Sequence, residues 1–242
     1  MKRLGAIIAL EAEAASILED ARFAWRQAPG EAGAIGGAGG GILESGAFPL
    51  RLAICGVGKV FASWACARLA PDCDAICVIG TSGGLSSEPV GSFWLAGEFV
   101  EYDMEASGLW FEPGVTPFSG MRSPVISTLG QAARSLALEA CAAAGIELSR
   151  QDPPPRVASG DQFIADPVKA RELGRRTGAG LCDMESAAVA KLCALRAGLD
   201  FFALRAVSDN ADRQAQRTWT EQVKLAAPLF DAFLYELARR LG

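Results

Sequence analysis

Histidine is absent from all 242 residues. Ser/His/Asp triads, Cys/His dyads and histidine-based metal sites are thereby excluded together, so any proton transfer must fall to carboxylates. Basic clusters are absent as well: 23 Lys and Arg are interspersed with 28 Asp and Glu, for a formal net charge of -5. No surface of the kind that neutralises a phosphate backbone is in prospect, which argues against nucleic acid as a partner. The seven cysteines (55, 66, 73, 77, 141, 182 and 193) are odd in number, form no C-x-x-C and sit mostly in apolar runs. That is the pattern of reduced, packed thiols in a cytoplasmic protein rather than a disulfide framework. No run reaches the roughly 20 uninterrupted apolar residues of a membrane helix. The start MKRLGAIIAL imitates a signal peptide, but Glu11 and Glu13 cut its apolar run after about seven residues, so a cytoplasmic chain is expected.

What is present is a large apolar fraction: 50% of the residues are hydrophobic and the mean hydropathy is +0.22. The length suits one extensive core, and no linker or internal repeat divides it, so residues 1–242 are read as a single domain. Short β-rich runs bounded by Gly, Pro or Asp occur at 4–10, 49–55, 74–80, 93–102, 156–160, 180–184 and 200–209. Ala-rich segments of helical period lie between several of them, at 11–20, 59–70, 124–144, 185–197 and 219–240. Strand and helix in alternation predict an α/β architecture around a central, largely parallel sheet. The glycine-dense stretch 33–46 does not fit a phosphate-loop motif and is read as a turn between hairpin strands, with DPPP at 152–155 as a rigid connector.

In open α/β sheets, ligands bind outside the carboxyl ends of the strands. The residues that follow each predicted strand are ALEAEA, CGVGKV, GTSGGL, SGDQFI, DMESA and SDNAD. Four of these six segments carry carboxylates, and two are Gly/Ser/Thr loops that a ligand can approach closely. Taken singly, each has a bland explanation: Glu11, Glu13, Asp183 and Glu185 as acids of a first helical turn, the glycine loops as tight turns, Ser208 or Asp209 as a cap. Their recurrence at strand ends is what those explanations leave out.

These segments, in this order and spacing, resemble the purine nucleoside phosphorylase superfamily, and within it the 5'-methylthioadenosine/S-adenosylhomocysteine nucleosidases. The similarity runs from about residue 4 to 240, with DMES and RAVSDNAD its most specific pair. The resemblance implies a single-domain three-layer sandwich, a twisted mixed β-sheet flanked by helices, assembled as a homodimer and using neither metal nor cofactor. It implies hydrolysis of the bond between adenine and ribose. Asp209 then resembles the acid that protonates N7 of the leaving adenine, Glu185 the carboxylate holding the ribose hydroxyls, and Glu13 the base that activates water. Phe163 resembles the aromatic stacked on the purine, with the Ile164 backbone reading its edge and Met184 packing on the sugar. Thr81 and Arg205 are expected near the water. Val57, Ser82, Gly83 and Ser208 are assigned to the binding wall, and Trp219 to the pocket for the 5' substituent.

The chemistry suits such a set independently. Breaking an N-glycosidic bond leaves an oxocarbenium-like sugar and an electron-rich base, so an acid is needed on the purine side and anionic density on the sugar side. Glu13 at the entry of the nucleophile repels phosphate, which favours hydrolysis over phosphorolysis. Several positions depart from the family's habit: Thr81 stands where Ser is common, Ser82 where Ala is, Asp183 where Glu is, and Trp219 where Phe is. Residues 102–118 resemble the loop that crosses the dimer interface to close the partner's site, with Ala106 and Leu109 in place of bulkier residues. Three alternatives stay open: a purine nucleoside phosphorylase, a nucleosidase for another 5' substituent, and a non-catalytic nucleoside-binding protein.

Overall fold

A computed structural model of the chain describes residues 1–29, 41–85, 88–149, 155–212 and 214–241. Its strands are β1 (Leu4–Ile8), β2 (Trp25–Gln27), β3 (Ile42–Ser45), β4 (Leu50–Ile54), β5 (Ala75–Gly84), β6 (Phe93–Ala96), β7 (Glu98–Glu101), β8 (Val125–Ser127), β9 (Arg156–Ser159), β10 (Leu181–Asp183) and β11 (Asp200–Asp209). The helices are α1 (Glu11–Glu19), α2 (Lys59–Leu69), α3 (Gln131–Ala143), α4 (Pro167–Thr177), α5 (Ser186–Ala194) and α6 (Ala215–Ala238). None of them is long and apolar enough to cross a membrane.

The strands form one sheet in the order β2-β3-β4-β1-β5-β10-β9-β7-β8. The long strand β5 is the branch point. Its first half pairs with β1 and its end with β10 on one edge, while β11 runs parallel along the other edge and carries β6 beyond it. The pairing path β6-β11-β5-β10-β9-β7 therefore returns to the same stretch of chain, because β6 and β7 are separated only by Gly97. The predicted strand 93–102 is thus two strands on different neighbours. A Cβ at Gly97 would lie 3.1 Å from Leu129, so the switch uses the residue with least bulk.

Strand β1 and the first half of β5 read as continuous apolar runs because both of their faces are covered. Leu4, Ala6 and Ile8 of β1, with Ala75, Cys77 and Ile79 of β5, join the cluster that contains Ile17 of α1 and Phe230, Phe233 and Leu237 of α6. Their alternate neighbours Ile7, Ile76 and Val78 join a second cluster with Ala62, Ala65 and Cys66 of α2 and Val189 and Cys193 of α5. Period-two alternation thus feeds helices on both sides, the three-layer arrangement expected. All seven cysteines are unpaired and buried.

Three expectations need correction. The sheet is mixed rather than largely parallel, since β2, β3 and β4 form an antiparallel meander and β6, β8 and β10 each make an antiparallel pairing. The segment 124–144 begins with β8, and its helix starts only at Gln131. Helix α4 has no counterpart among the predicted elements: only Ala170 and Leu173 of PVKARELGRRT are buried, too sparse a stripe to show helical period. Its signals are local instead, with Asp166 accepting from the amides of Val168 and Lys169, Pro167 in the first turn, and Gly178 ending the helix at φ +67. Strand β3 lies inside the glycine-dense stretch, while residues 30–40 and 152–154 are outside the described residues.

Candidate active site

A cleft of about 500 Å³ opens where the carboxyl ends of β1, β5, β10 and β11 meet the loop after β9. Glu13, Val57, Thr81, Ser82, Gly83, Phe163, Ile164, Met184, Glu185, Ser208, Asp209 and Trp219 all line it. Twelve of the thirteen candidate residues are therefore brought together. Arg205 is the exception: it lies behind the wall, 2% exposed, with Nη2 donating to Ser186 Oγ at 2.7 Å and Nη1 donating to the Thr81 carbonyl at 3.3 Å. Its guanidinium pairs with Asp183 and approaches Glu185 at 3.8 Å.

Glu13 sits in the first turn of α1, 3% exposed, and its Oε1 accepts from both the amide and the hydroxyl of Thr81 at 2.7 Å. Burial raises its carboxyl above the ordinary value, while the Thr81 bonds and Arg205 pull the other way. Gly80 makes this approach feasible: a Cβ there would lie 2.9 Å from Arg205 Nη1 and 3.0 Å from Glu13 Oε1.

Glu185 stands just before α5, 5% exposed, with Oε1 accepting from the Gly58 amide at 3.0 Å. Gly58 adopts φ +103, a backbone that suits glycine and turns the amide into the site. Burial first, and the charge of Asp183 second, push the Glu185 carboxyl up to about 7.

Asp209 is placed by a bulge. In the β5–β11 register Val207 faces Ser82 and Asp209 faces Gly83, so Ser208 is the extra residue and the carboxylate is re-aimed at the cleft. It is 3% exposed, and burial raises its carboxyl, opposed by bonds from Ser208 and from the Ala211 amide. Ser208 Oγ lies 2.7 Å from Asp209 Oδ2 and 3.2 Å from the Ser82 carbonyl. A hydroxyl has one proton to give. The shorter contact is the one to Asp209 Oδ2, so the Ser208 hydroxyl donates to the carboxylate and leaves the Ser82 carbonyl the weaker, longer contact.

Phe163, 54% exposed, and Ile164 lie on a loop held from below. The Tyr102 ring covers Gly160, where a Cβ would fall 2.4 Å from it. Lys59 Nζ donates to Glu101 Oε1 and Asp103 Oδ1 at 2.7 Å, and its amide donates to Asp161 Oδ1 at 2.9 Å. The start of α2 thus braces both the Phe163 loop and, through Gly58, Glu185. The sequence places CGVGKV among the site segments and Val57 in the binding wall, but it does not reveal this role of Lys59, nor Asp183 as the partner of Arg205. An unmatched acid beside a buried arginine strand was the available signal for the latter.

Residues 103–118 extend from the sheet with Trp110 94% and Phe118 85% exposed, while Phe111 and Phe118 pack edge to face at 5.2 Å. No Lys or Arg is among the cleft-lining residues described.

Residues 3–241 match the sequence family described as the phosphorylase superfamily, and the chain is a member of it. A 5'-methylthioadenosine/S-adenosylhomocysteine nucleosidase of Shewanella frigidimarina is 30% identical over 164 residues, covering 66% of this chain and 68% of that one. An aminodeoxyfutalosine nucleosidase of Campylobacter jejuni is 27% identical over 169 residues, 69% of each chain. The crystal structure of a mutant Helicobacter pylori nucleosidase with 5'-methylthioadenosine in its active site has the same fold, with a TM-score of 0.83 over 100% of both chains at 23% identity. Within the superfamily the chain belongs with the 5'-methylthioadenosine/S-adenosylhomocysteine nucleosidases, and it is an enzyme of the N-glycosyl hydrolase class.

Proposed function

We propose that the protein hydrolyses the N-glycosidic bond of 5'-methylthioadenosine, S-adenosylhomocysteine or both, releasing adenine. The observation that carries this reading is the convergence of three buried carboxylates, Glu13, Glu185 and Asp209, on one cleft whose described lining has no cationic side chain. A phosphate dianion would find no charge partner there, whereas water needs only a base.

In this mechanism the purine stacks on Phe163 against Ile164, and Asp209, whose carboxyl burial raises above the ordinary value, donates to N7 as the bond lengthens. Glu185 holds the ribose hydroxyls and its charge offsets the oxocarbenium character of the sugar, over which Met184 packs. Glu13 takes a proton from the attacking water, with Arg205 and Thr81 ordering its surroundings. Val57, Ser82, Gly83 and Ser208 complete the wall, and Trp219 borders the 5' pocket.

The Campylobacter jejuni relative favours a second reading of the 5' group, in which an aminodeoxyfutalosine-type nucleoside is the substrate. A homodimer closed by residues 102–118 accords with the exposure of Leu109, Trp110 and Phe118, since large apolar side chains concentrated on one loop fit an interface. Seven buried thiols accord with work in the cytoplasm.

Incubation with 5'-methylthioadenosine, S-adenosylhomocysteine and aminodeoxyfutalosine, each with and without phosphate, tests the reading. Free adenine and the 5'-thio sugar formed without phosphate are expected. Strict dependence on phosphate, or turnover of aminodeoxyfutalosine alone, would replace it.

A further inference from the structure

Thr81 Oγ1 stands between two groups: Glu13 Oε1 at 2.7 Å and Trp219 Nε1 at 3.1 Å. An indole N–H donates and never accepts. Thr81 Oγ1 must therefore accept from Trp219, which leaves its single proton to be donated to Glu13 Oε1. The Thr81 amide donates to that same oxygen at 2.7 Å. Oε1 is thus occupied by two donors and cannot carry a proton of its own without a clash of hydrogens, so Oε2 is the oxygen at which Glu13 gains one.

We propose that Trp219 is a positioning residue for Glu13: its indole N–H fixes the direction of the Thr81 hydroxyl and so holds Glu13 as a carboxylate that is basic at Oε2. The proposal rests on Glu13 being the base of the hydrolysis. It gives a physical reason for Trp at 219, where the resembling family commonly has Phe. A phenylalanine ring has nothing to donate.

The charged and titratable groups facing Glu13 are Arg205 from β11, which favours its ionised form, Glu185 before α5, which opposes it, and the Cys55 thiol after β4. Replacement at 219 leaves all three in place. Without the indole N–H, the Thr81 hydroxyl is free to turn and accept a proton held on Glu13 Oε1. The protonated form gains a bond it lacks in the wild type, so the carboxyl should titrate at higher pH.

The test is the pH profile of kcat/KM with 5'-methylthioadenosine for the wild type and Trp219→Phe, which keeps a ring and loses the donor. The acid limb should move up by roughly half a pH unit, the size of one modest hydrogen bond. Thr81→Val spares Trp219 and removes the hydroxyl that the indole directs, so it should move the same limb in the same direction even if the Phe variant folds poorly. In the double variant the Trp219 replacement should add no further shift. An unmoved acid limb in either single variant, or additive shifts in the double, overturns the proposal. Glu13→Gln separates the two levels: retained turnover sinks the reading of Glu13 as base, whereas lost turnover with unmoved limbs elsewhere sinks only the role of Trp219.

Discussion

Arg205 and Asp183 form an ion pair in which both side chains are almost wholly buried, at 2% and 1% exposure, with Asp183 in the cleft wall and Arg205 behind it. Asp183 also accepts from the hydroxyls of Ser159 and Ser186 and from the Ser186 amide, so its oxygens are well satisfied. The pair joins β10 to β11 and backs the wall that carries Glu185. Removing one partner leaves a buried, uncompensated charge. Asp183→Ala should therefore cost about 3–5 kcal/mol in urea unfolding, a large share of a domain's stability. Adding Arg205→Met should recover part of that loss. Equal stability of Asp183→Ala and the wild type would show that the guanidinium is solvated by other means.

Asp209→Asn tests the acid directly. The amide keeps the size and an acceptor at Oδ1 for the Ala211 amide, 2.8 Å away, but offers no proton of suitable acidity to N7. Turnover should fall by roughly 10²–10⁴-fold, the range of general acid catalysis, while adenine still binds by calorimetry. Turnover at the wild-type level would remove Asp209 from the mechanism.

Ser82 is 4% exposed, and its hydroxyl has no hydrogen-bond partner among the described residues. An unpaired buried hydroxyl costs about 1–3 kcal/mol. Ser82→Ala should leave the free protein at least as stable as the wild type in thermal unfolding. If the hydroxyl pairs with bound nucleoside, the same variant should also raise KM. A clear loss of stability in Ser82→Ala would point to a partner that the geometry does not reveal.

The layers of the fold were legible because β1 and the first halves of β5 and β11 are buried on both faces and form apolar runs. The candidate site was legible because carboxylates recur at several strand ends in segments that together resemble one family, although each taken singly has a structural explanation. What escaped was set by relations that sequence spacing does not encode. Helix α4 buries too little to show a period, and Asp166, Pro167 and Gly178 at its two ends are its marks. The division of residues 93–102 depends on which neighbours β6 and β7 find across the barrel-like path. Arg205 lies one face of β11 away from the cleft, and only the register of that strand with β5 decides this. The link from Trp219 to Thr81 spans 138 residues and could not be read from either segment.

Glu185 makes stability depend on pH in a direction opposite to that of a surface carboxylate. Its carboxyl is raised to about 7 by burial and by Asp183, against 4.5 for the same group in an open chain. Between these values the folded protein holds a proton that the unfolded chain has released. Linkage then requires stability to fall as pH rises from about 4.5 to 7, with the penalty fully present above that window and relieved below it. For this one group the swing approaches about 3 kcal/mol. Glu13 and Asp209 are raised by burial too, so they contribute with the same sign. Glu185→Gln cannot titrate, and urea midpoints measured for the free enzyme from pH 4.5 to 8 should therefore decline less steeply in this variant than in the wild type. Parallel curves for the two proteins would mean that the Glu185 carboxyl is ionised throughout, and that Arg205 compensates for its burial in full.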